Sequence, residues 1–162
     1  MRLSEISAGT KAETRFDTEI TSLADRLDDI CGGSLFFAIK GEKFDAASYV
    51  KEAEKRGAAA VVSEIPLKTQ IPNIVVGNIR KTEALFAANF FGTNKSGMKF
   101  VGITGTNGKT TVAEMLFACL LENGRKVALT GTVKNRINEK IYESEYTTPT
   151  PILLHSFLAE AE

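Results

Sequence analysis

Histidine is almost missing from this chain: its 162 residues include one, His155, so a Ser-His-Asp or Cys-His mechanism would have to run through that single ring. Cysteine is nearly as scarce. Cys31 and Cys119 lie far apart with no C-x-x-C spacing, which argues against a disulfide framework or a zinc site and fits a reducing cytoplasm. Neither sign of charge is in excess. The 20 Lys plus Arg match 20 Asp plus Glu, and a cut after Lys95 leaves 13 of each before it and 7 of each after it. A broad basic face for nucleic acid is therefore not expected. Long apolar runs are lacking as well. Lys, Glu or Gly breaks each one within about ten residues, short of the roughly 20 that span a bilayer, so the chain reads as a soluble protein that does not enter a membrane. Residues 1–14 carry no apolar h-region and no small-residue cleavage pattern, so nothing in them directs export. There is no internal repeat or low-complexity tract, and nothing in the sequence sets an oligomeric state.

What is present is the composition of an ordinary soluble globular protein, 43% hydrophobic and 25% charged. That is enough chain for one good core, or for a small domain joined to part of another. Residues 14–23 alternate loosely and are rich in Thr and Ile, predicting a strand. Residues 34–40, S-L-F-F-A-I-K, form a short apolar run between glycines, as expected for a strand buried on both faces. Residues 46–56 place Tyr49, Val50 and Ala53 on one helical face, with Gly57 where a helix C′ residue belongs, and 58–63 read as a further strand. A strand at 73–77 precedes Asn78, a candidate N-cap for a helix over 79–91 that turns Ile79, Leu85, Phe86 and Phe90 towards a core before Gly92. The small polar segment 93–97 is read as a boundary, dividing the chain into domains 1–95 and 96–162.

Beyond that boundary, 99–104 reads as a strand and 110–123 as a helix with Val112, Met115, Leu116, Cys119 and Leu120 on one stripe, which makes Cys119 a buried core thiol. A strand at 126–131, a short edge strand at 137–142, a T-T-P-T-P loop at 147–151 and a helix from 152 to 161 complete the reading. His155 is expected on the surface of that last helix.

The most informative stretch is V-G-I-T-G-T-N-G-K-T-T, residues 101–111, between the predicted strand and helix. A turn built on Gly105 and Gly108 lets successive backbone N–H groups point inward, and the helix beginning near Lys109 adds the positive end of its dipole, so a polyphosphate would be held by main chain. Lys109 can reach β- and γ-phosphates, and the Thr110 hydroxyl is placed for Mg²⁺. The general pattern G-x-x-x-x-G-K-[ST] asks for Gly at position 103, where this chain has Ile103, so the match is to the G-x-x-G-K-T core in its strand-loop-helix context. The plainer alternative is a glycine-rich turn with a surface lysine.

These residues resemble the Mur ligases, ATP-dependent enzymes that extend the peptide of UDP-N-acetylmuramic acid in peptidoglycan synthesis. T-G-T-N-G-K-T-T at 104–111 is similar to their phosphate loop, and G-S-L-F-F-A-I-K-G at 33–41 with Asp45 resembles their N-terminal UDP-binding domain. Thr147-Thr148-Pro149 is similar to the T-T-P loop of the branch that adds the third residue, the UDP-N-acetylmuramoyl-L-alanyl-D-glutamate ligases. The resemblance implies a small N-terminal α/β domain of UDP-binding type followed by the first part of a P-loop ATPase domain. It implies that Gly105, Thr106, Asn107, Gly108, Lys109, Thr110 and Thr111 hold ATP, that Lys109 acts in catalysis and that Thr110 meets Mg²⁺. It further implies that Thr147 and Thr148 meet the UDP-N-acetylmuramoyl peptide and that Glu42, Lys43 and Phe44 lie at its uracil end. Phe44 could stack on the base, and could equally be a core residue. The chain departs from the family in two places: Arg26-Leu27-Asp28 stands where Asp-Ser-Arg is usual, and Asp45-Ala46-Ala47 where Asp-Gly-His is common. The family's modified lysine, further magnesium ligands and amino-acid-binding domain have no counterpart before Glu162, so the expectation is a ligase lineage whose chain is not competent alone. A non-catalytic nucleotide- or UDP-sugar-binding module is the alternative, and a small P-loop kinase a second one.

Overall fold

A computed structural model of the chain describes residues 1–10, 16–40, 49–142 and 148–162. It is a mixed α/β structure that divides into two compact units, Met1–Asn94 and Lys95–Glu162.

The first unit is built on a parallel sheet of β1 (Ser22–Ala24), β2 (Ser34–Phe37), β3 (Ala60–Ser63) and β4 (Asn73–Val75), in that order across the sheet. Ala24 lies opposite Phe36 and Phe36 opposite Val61, while Phe37 pairs with Val62 and Val62 with Ile74. Successive side chains point to opposite faces, so a strand covered on both sides has no polar face to spare. All four residues of β2 are buried, as are all four of β3. On one face Phe36, Val61 and Ala24 pack with Val50 and Ala53 of α2 (Val50–Lys55), and Ile30, Leu27, Leu67 and Ile71 extend that cluster. On the other face, Phe37 meets Phe86 of α3 (Ile79–Phe90) edge-on at 6.1 Å, and α3 packs against α1 (Leu3–Ile6).

Local chemistry sets the element ends. Helix α2 stops with the amide of Gly57 on the Glu54 carbonyl and that of Ala58 on the Ala53 carbonyl, both at 3.0 Å, the paired bonds of a Schellman ending. The carbonyl oxygen of Asn78's side chain accepts from the Lys81 amide at 2.9 Å and caps α3. Between the parallel strands β3 and β4 the chain crosses without a helix. The Glu54 carboxylate holds that crossover, accepting from the Thr69 hydroxyl and, at 2.7 Å, from the Gln70 amide. Ahead of β2, Gly33 has φ +89°, and a Cβ there would fall 2.5 Å from the Thr21 hydroxyl oxygen. Only glycine lets the chain enter the sheet this close to its neighbour.

Two expectations for this unit are corrected. The strand expected over 14–23 survives only at its end, since β1 begins at Ser22; of the rest, residues 16–21 form no strand and 14–15 lie outside the described residues. There the backbone bonds the chain's start instead, with the Leu3 amide on Thr18 and Arg2 bridged to Glu19. Its Thr-rich alternation reflected solvent on one side rather than a place in the sheet. Leu85 is 42% exposed, whereas Glu83 and Ala87 join Ile79 and Phe86 on the buried face. The apolar residue at position 85 sits on the solvent side of the helix.

The second unit holds α4 (Lys109–Glu122), a three-stranded antiparallel sheet of β5 (Ala128–Leu129), β6 (Asn135–Ile137) and β7 (Lys140–Tyr142), and α5 (Pro151–Ala161). The single edge strand expected over 137–142 is a hairpin that turns at Asn138, the one non-glycine with positive φ (51°) among the described residues. Asn138 also clasps β5, its amide on the Val127 carbonyl at 2.9 Å and its side-chain oxygen on the Val127 amide at 3.0 Å. Asparagine tolerates this backbone state and hydrogen-bonds locally. The 126–131 strand contracts to β5, and residues 99–104 form no strand. An apolar run describes what a strand would bury, whereas a strand exists only where a neighbour supplies a ladder. β5 gives its ladder to β6, and no described strand pairs with 99–104, so Phe100 and Val101 are exposed.

Candidate functional site

The glycine-rich segment ends in a sharp turn into α4. Gly108 is the N-cap residue, with φ 76° and ψ −3°, a left-handed state that a residue bearing Cβ reaches only under strain. Its carbonyl accepts the Val112 amide at 2.9 Å, which begins the helical ladder. The amides of the first helical turn have no intrahelical acceptor, and no side chain caps them here. With no acidic residue in that turn, the helix presents the positive end of its dipole uncompensated.

Lys109 folds back over the loop. Its Nζ donates to the Gly105 carbonyl at 2.7 Å and reaches the Thr106 carbonyl at 3.5 Å. The ammonium thus rests on carbonyl oxygens of the same loop that leads into the uncapped helix start. Residues 104–112 are all exposed, and a Cβ on Gly105 would stand 3.5 Å from the Asn107 carbonyl. Uncapped helix amides and a lysine folded onto the same turn fit an oxygen-rich polyanion such as the phosphate tail of ATP. Thr110 and Thr111 occupy the first turn of α4 and carry the hydroxyls of the site.

The helix is held from behind by residues with no mark in the local sequence. Glu114 accepts from Arg136 at 3.1 Å and lies 3.3 Å from the Lys134 ammonium, and the Arg136 guanidinium sits 4.2 Å over the Phe117 ring. These contacts tie α4 to β6 across some twenty residues of chain, a separation no helical or strand spacing would have revealed. Phe117 is the only residue of α4 that is buried among those described. The stripe expected to face a core does not: Val112 and Met115 are more than half exposed, Leu116 and Leu120 lie on the surface, and Cys119 is an exposed free thiol. Cys119 is therefore not a core residue in this unit. The helix turns its Glu114–Phe117 side to the sheet because the arginine and the aromatic ring lock there.

Of the other candidate residues, Glu42, Lys43, Phe44 and Thr147 lie outside the described residues. Thr148 is exposed and stands two positions before Thr150, whose side chain caps α5 with Pro151 at its first turn. His155, expected on the surface of α5, is half-buried, and desolvation lowers its pKa, favouring the neutral imidazole. At its far end α5 is bound to β7, with Glu160 accepting from Tyr142 and, at 2.7 Å, from Lys140.

Comparison with known proteins gives consistent matches for both units. The sequence profile described as "Mur ligase middle domain" matches residues 103–162, and that described as "Mur ligase family, catalytic domain" matches residues 28–89. The UDP-N-acetylmuramoyl-L-alanyl-D-glutamate--2,6-diaminopimelate ligase of Aquifex aeolicus (strain VF5) is 47% identical over 128 residues, covering 79% of this chain and 27% of the relative. A solved structure of a UDP-N-acetylmuramoyl-L-alanyl-D-glutamate--2,6-diaminopimelate ligase superposes with a TM-score of 0.80 at 20% identity, covering 99% of this chain and 33% of that one, a likeness of fold. The structure of a MurF ligase from Thermotoga maritima in complex with ADP superposes with a TM-score of 0.54 at 30% identity, over 67% of this chain and 24% of that one. This chain spans about a quarter to a third of the length of the curated relatives it matches.

Proposed function

This chain belongs to the Mur ligase family, and from that premise we propose that it carries the phosphate-binding loop and the UDP-substrate unit of an ATP-dependent ligase that adds the third residue to UDP-N-acetylmuramoyl-L-alanyl-D-glutamate. The observation that carries the reading is the junction at Gly108, where a left-handed glycine, uncapped helix amides and the folded-back Lys109 meet on one turn. The relatives named for 2,6-diaminopimelate make that diamine the first candidate for the incoming amine.

ATP supplies the phosphoryl group that activates a carboxylate. The residues of this chain would bind and neutralise it: the loop amides from Gly105 onward would take phosphate oxygens, and the Lys109 ammonium, which rests on two loop carbonyls, would take the β- and γ-phosphates. The Thr110 hydroxyl, in the first turn of α4, is the group that would hold Mg²⁺. Glu114 with Lys134 and Arg136 fixes the helix that aims these donors. Thr147 and Thr148 are proposed contacts of the second unit for the UDP-sugar peptide, and Glu42, Lys43 and Phe44 are proposed contacts of the first unit for its uracil end.

Calorimetry of the full chain with magnesium ATP, and separately with UDP-N-acetylmuramoyl-L-alanyl-D-glutamate, tests this assignment. Heat is expected with each, and silence with both ligands would overturn it. Replacing Gly108 by Val tests the loop itself. A β-branched residue at φ 76° costs about 1–3 kcal/mol of strain, and it sets methyl groups where phosphate would approach. The expected outcome is a magnesium-ATP affinity at least tenfold weaker, with binding of the UDP-sugar peptide unchanged.

A further inference from the structure

The buried polar side chains among the described residues are those of Ser7, Ser34, Ser63 and Glu83, and only the last is ionisable. Glu83 is 1% exposed. It lies four residues after Ile79 and three before Phe86, on the face that α3 lays against the sheet. Its Oε1 has no hydrogen-bond partner. A carboxylate so enclosed would need donors on both oxygens. What it has instead is a second acid: Asp25, which follows β1, shares a side-chain hydrogen bond with Glu83. Two carboxyls form such a bond only when one of them carries a proton, and the buried member has the greater need of it. Arg80, one turn back on α3, favours the charged form, but less strongly than burial and Asp25 oppose it. Glu64, which follows β3, directs an oxygen to the Ile79 amide at 2.9 Å and supplies no donor.

We propose that Glu83 is a built-in proton site, neutral and donating to Asp25 while α3 is seated on the sheet, and that its deprotonation loosens α3 and makes the first unit sensitive to pH across the neutral range. Burial and the Asp25 charge push its pKa up to about 7. The folded unit therefore holds a proton between the ordinary carboxylate range and about 7 that the unfolded chain has released. Stability contributed by this group is full at the acid end of that window and is lost as the pH rises through the folded value.

Two measurements on the full chain test the proposal. In protein labelled with ¹³C at glutamate side-chain carboxyls, Glu83 is expected to titrate with a midpoint near 7, and D25N to move that midpoint down. Amide exchange, corrected for the intrinsic rate at each pH, is expected to show the protection of α3 falling about tenfold between roughly pH 6 and 8, with E83Q holding its protection constant. A Glu83 midpoint near the ordinary value of about 4.3 would overturn the proposal, as would parallel loss of protection in parent and E83Q. If E83Q fails to fold, the carboxyl titration of the parent chain alone decides.

Discussion

Replacing Lys109 by alanine is expected to weaken magnesium-ATP binding by about two orders of magnitude. Hydrogen bonds to charged groups contribute about 1.5–3 kcal/mol each, and the proposed role gives this ammonium two phosphate partners, so the loss is about 3 kcal/mol or more. The variant should otherwise fold normally. Lys109 is exposed, and among the described residues its ammonium bonds the carbonyls of Gly105 and Thr106. Calorimetry beside circular dichroism separates the effects: binding collapses while the helical signal and the unfolding midpoint stay in place. Equal affinity in parent and variant would mean that the lysine is an ordinary surface residue and that the loop does not hold a triphosphate.

The largest loss of stability is expected from Phe37→Ala. Phe37 is fully buried in β2 and is the ring on which Phe86 of α3 rests edge-on at 6.1 Å. Removing it forfeits the transfer energy of an aromatic side chain and leaves a cavity between sheet and helix, together about 3–5 kcal/mol. Against a typical total of about 5–15 kcal/mol for a domain, that is enough to leave the first unit near its threshold. Denaturant unfolding followed by far-ultraviolet circular dichroism should show the loss, with Leu85→Ala as the contrast. Leu85 belongs to the same helix but faces solvent, so its truncation should cost well under 1 kcal/mol. Comparable losses from the two variants would contradict the packing described for α3.

The parts of the fold that could be read from sequence are those in which a residue's own chemistry decides the outcome. Asn78 caps because its side chain accepts the Lys81 amide, Gly57 follows α2 because a left-handed residue closes that ending, and the L-F-F run of β2 is buried because both faces are covered. The turn into α4 was visible for the same reason, since Gly108 and the residues after it describe their own backbone. What could not be read depends on partners distant in the chain. The apolar stripe from Val112 to Leu120 announces that α4 is amphipathic, but Arg136 and Phe117 decide which side meets the sheet. Residues 99–104 carry the apolar content of a strand without a ladder to join, and 137–142 conceal a turn because asparagine at position 138 resembles any polar break in a strand. Glu83 escaped because a glutamate is ordinarily a solvent-facing residue, although its spacing from Ile79 and Phe86 puts it on their buried face.

The order β1, β2, β3, β4 across the first sheet repeats the order along the chain. During synthesis, each new strand would leave the ribosome with its hydrogen-bonding neighbour already made, so the sheet could lengthen sideways one strand at a time. No edge would have to wait for a later segment to fill a gap. Apart from the outer edge of β1, the nascent sheet would thus expose only its growing margin to other chains, a form of protection against misassembly that comes from strand order alone.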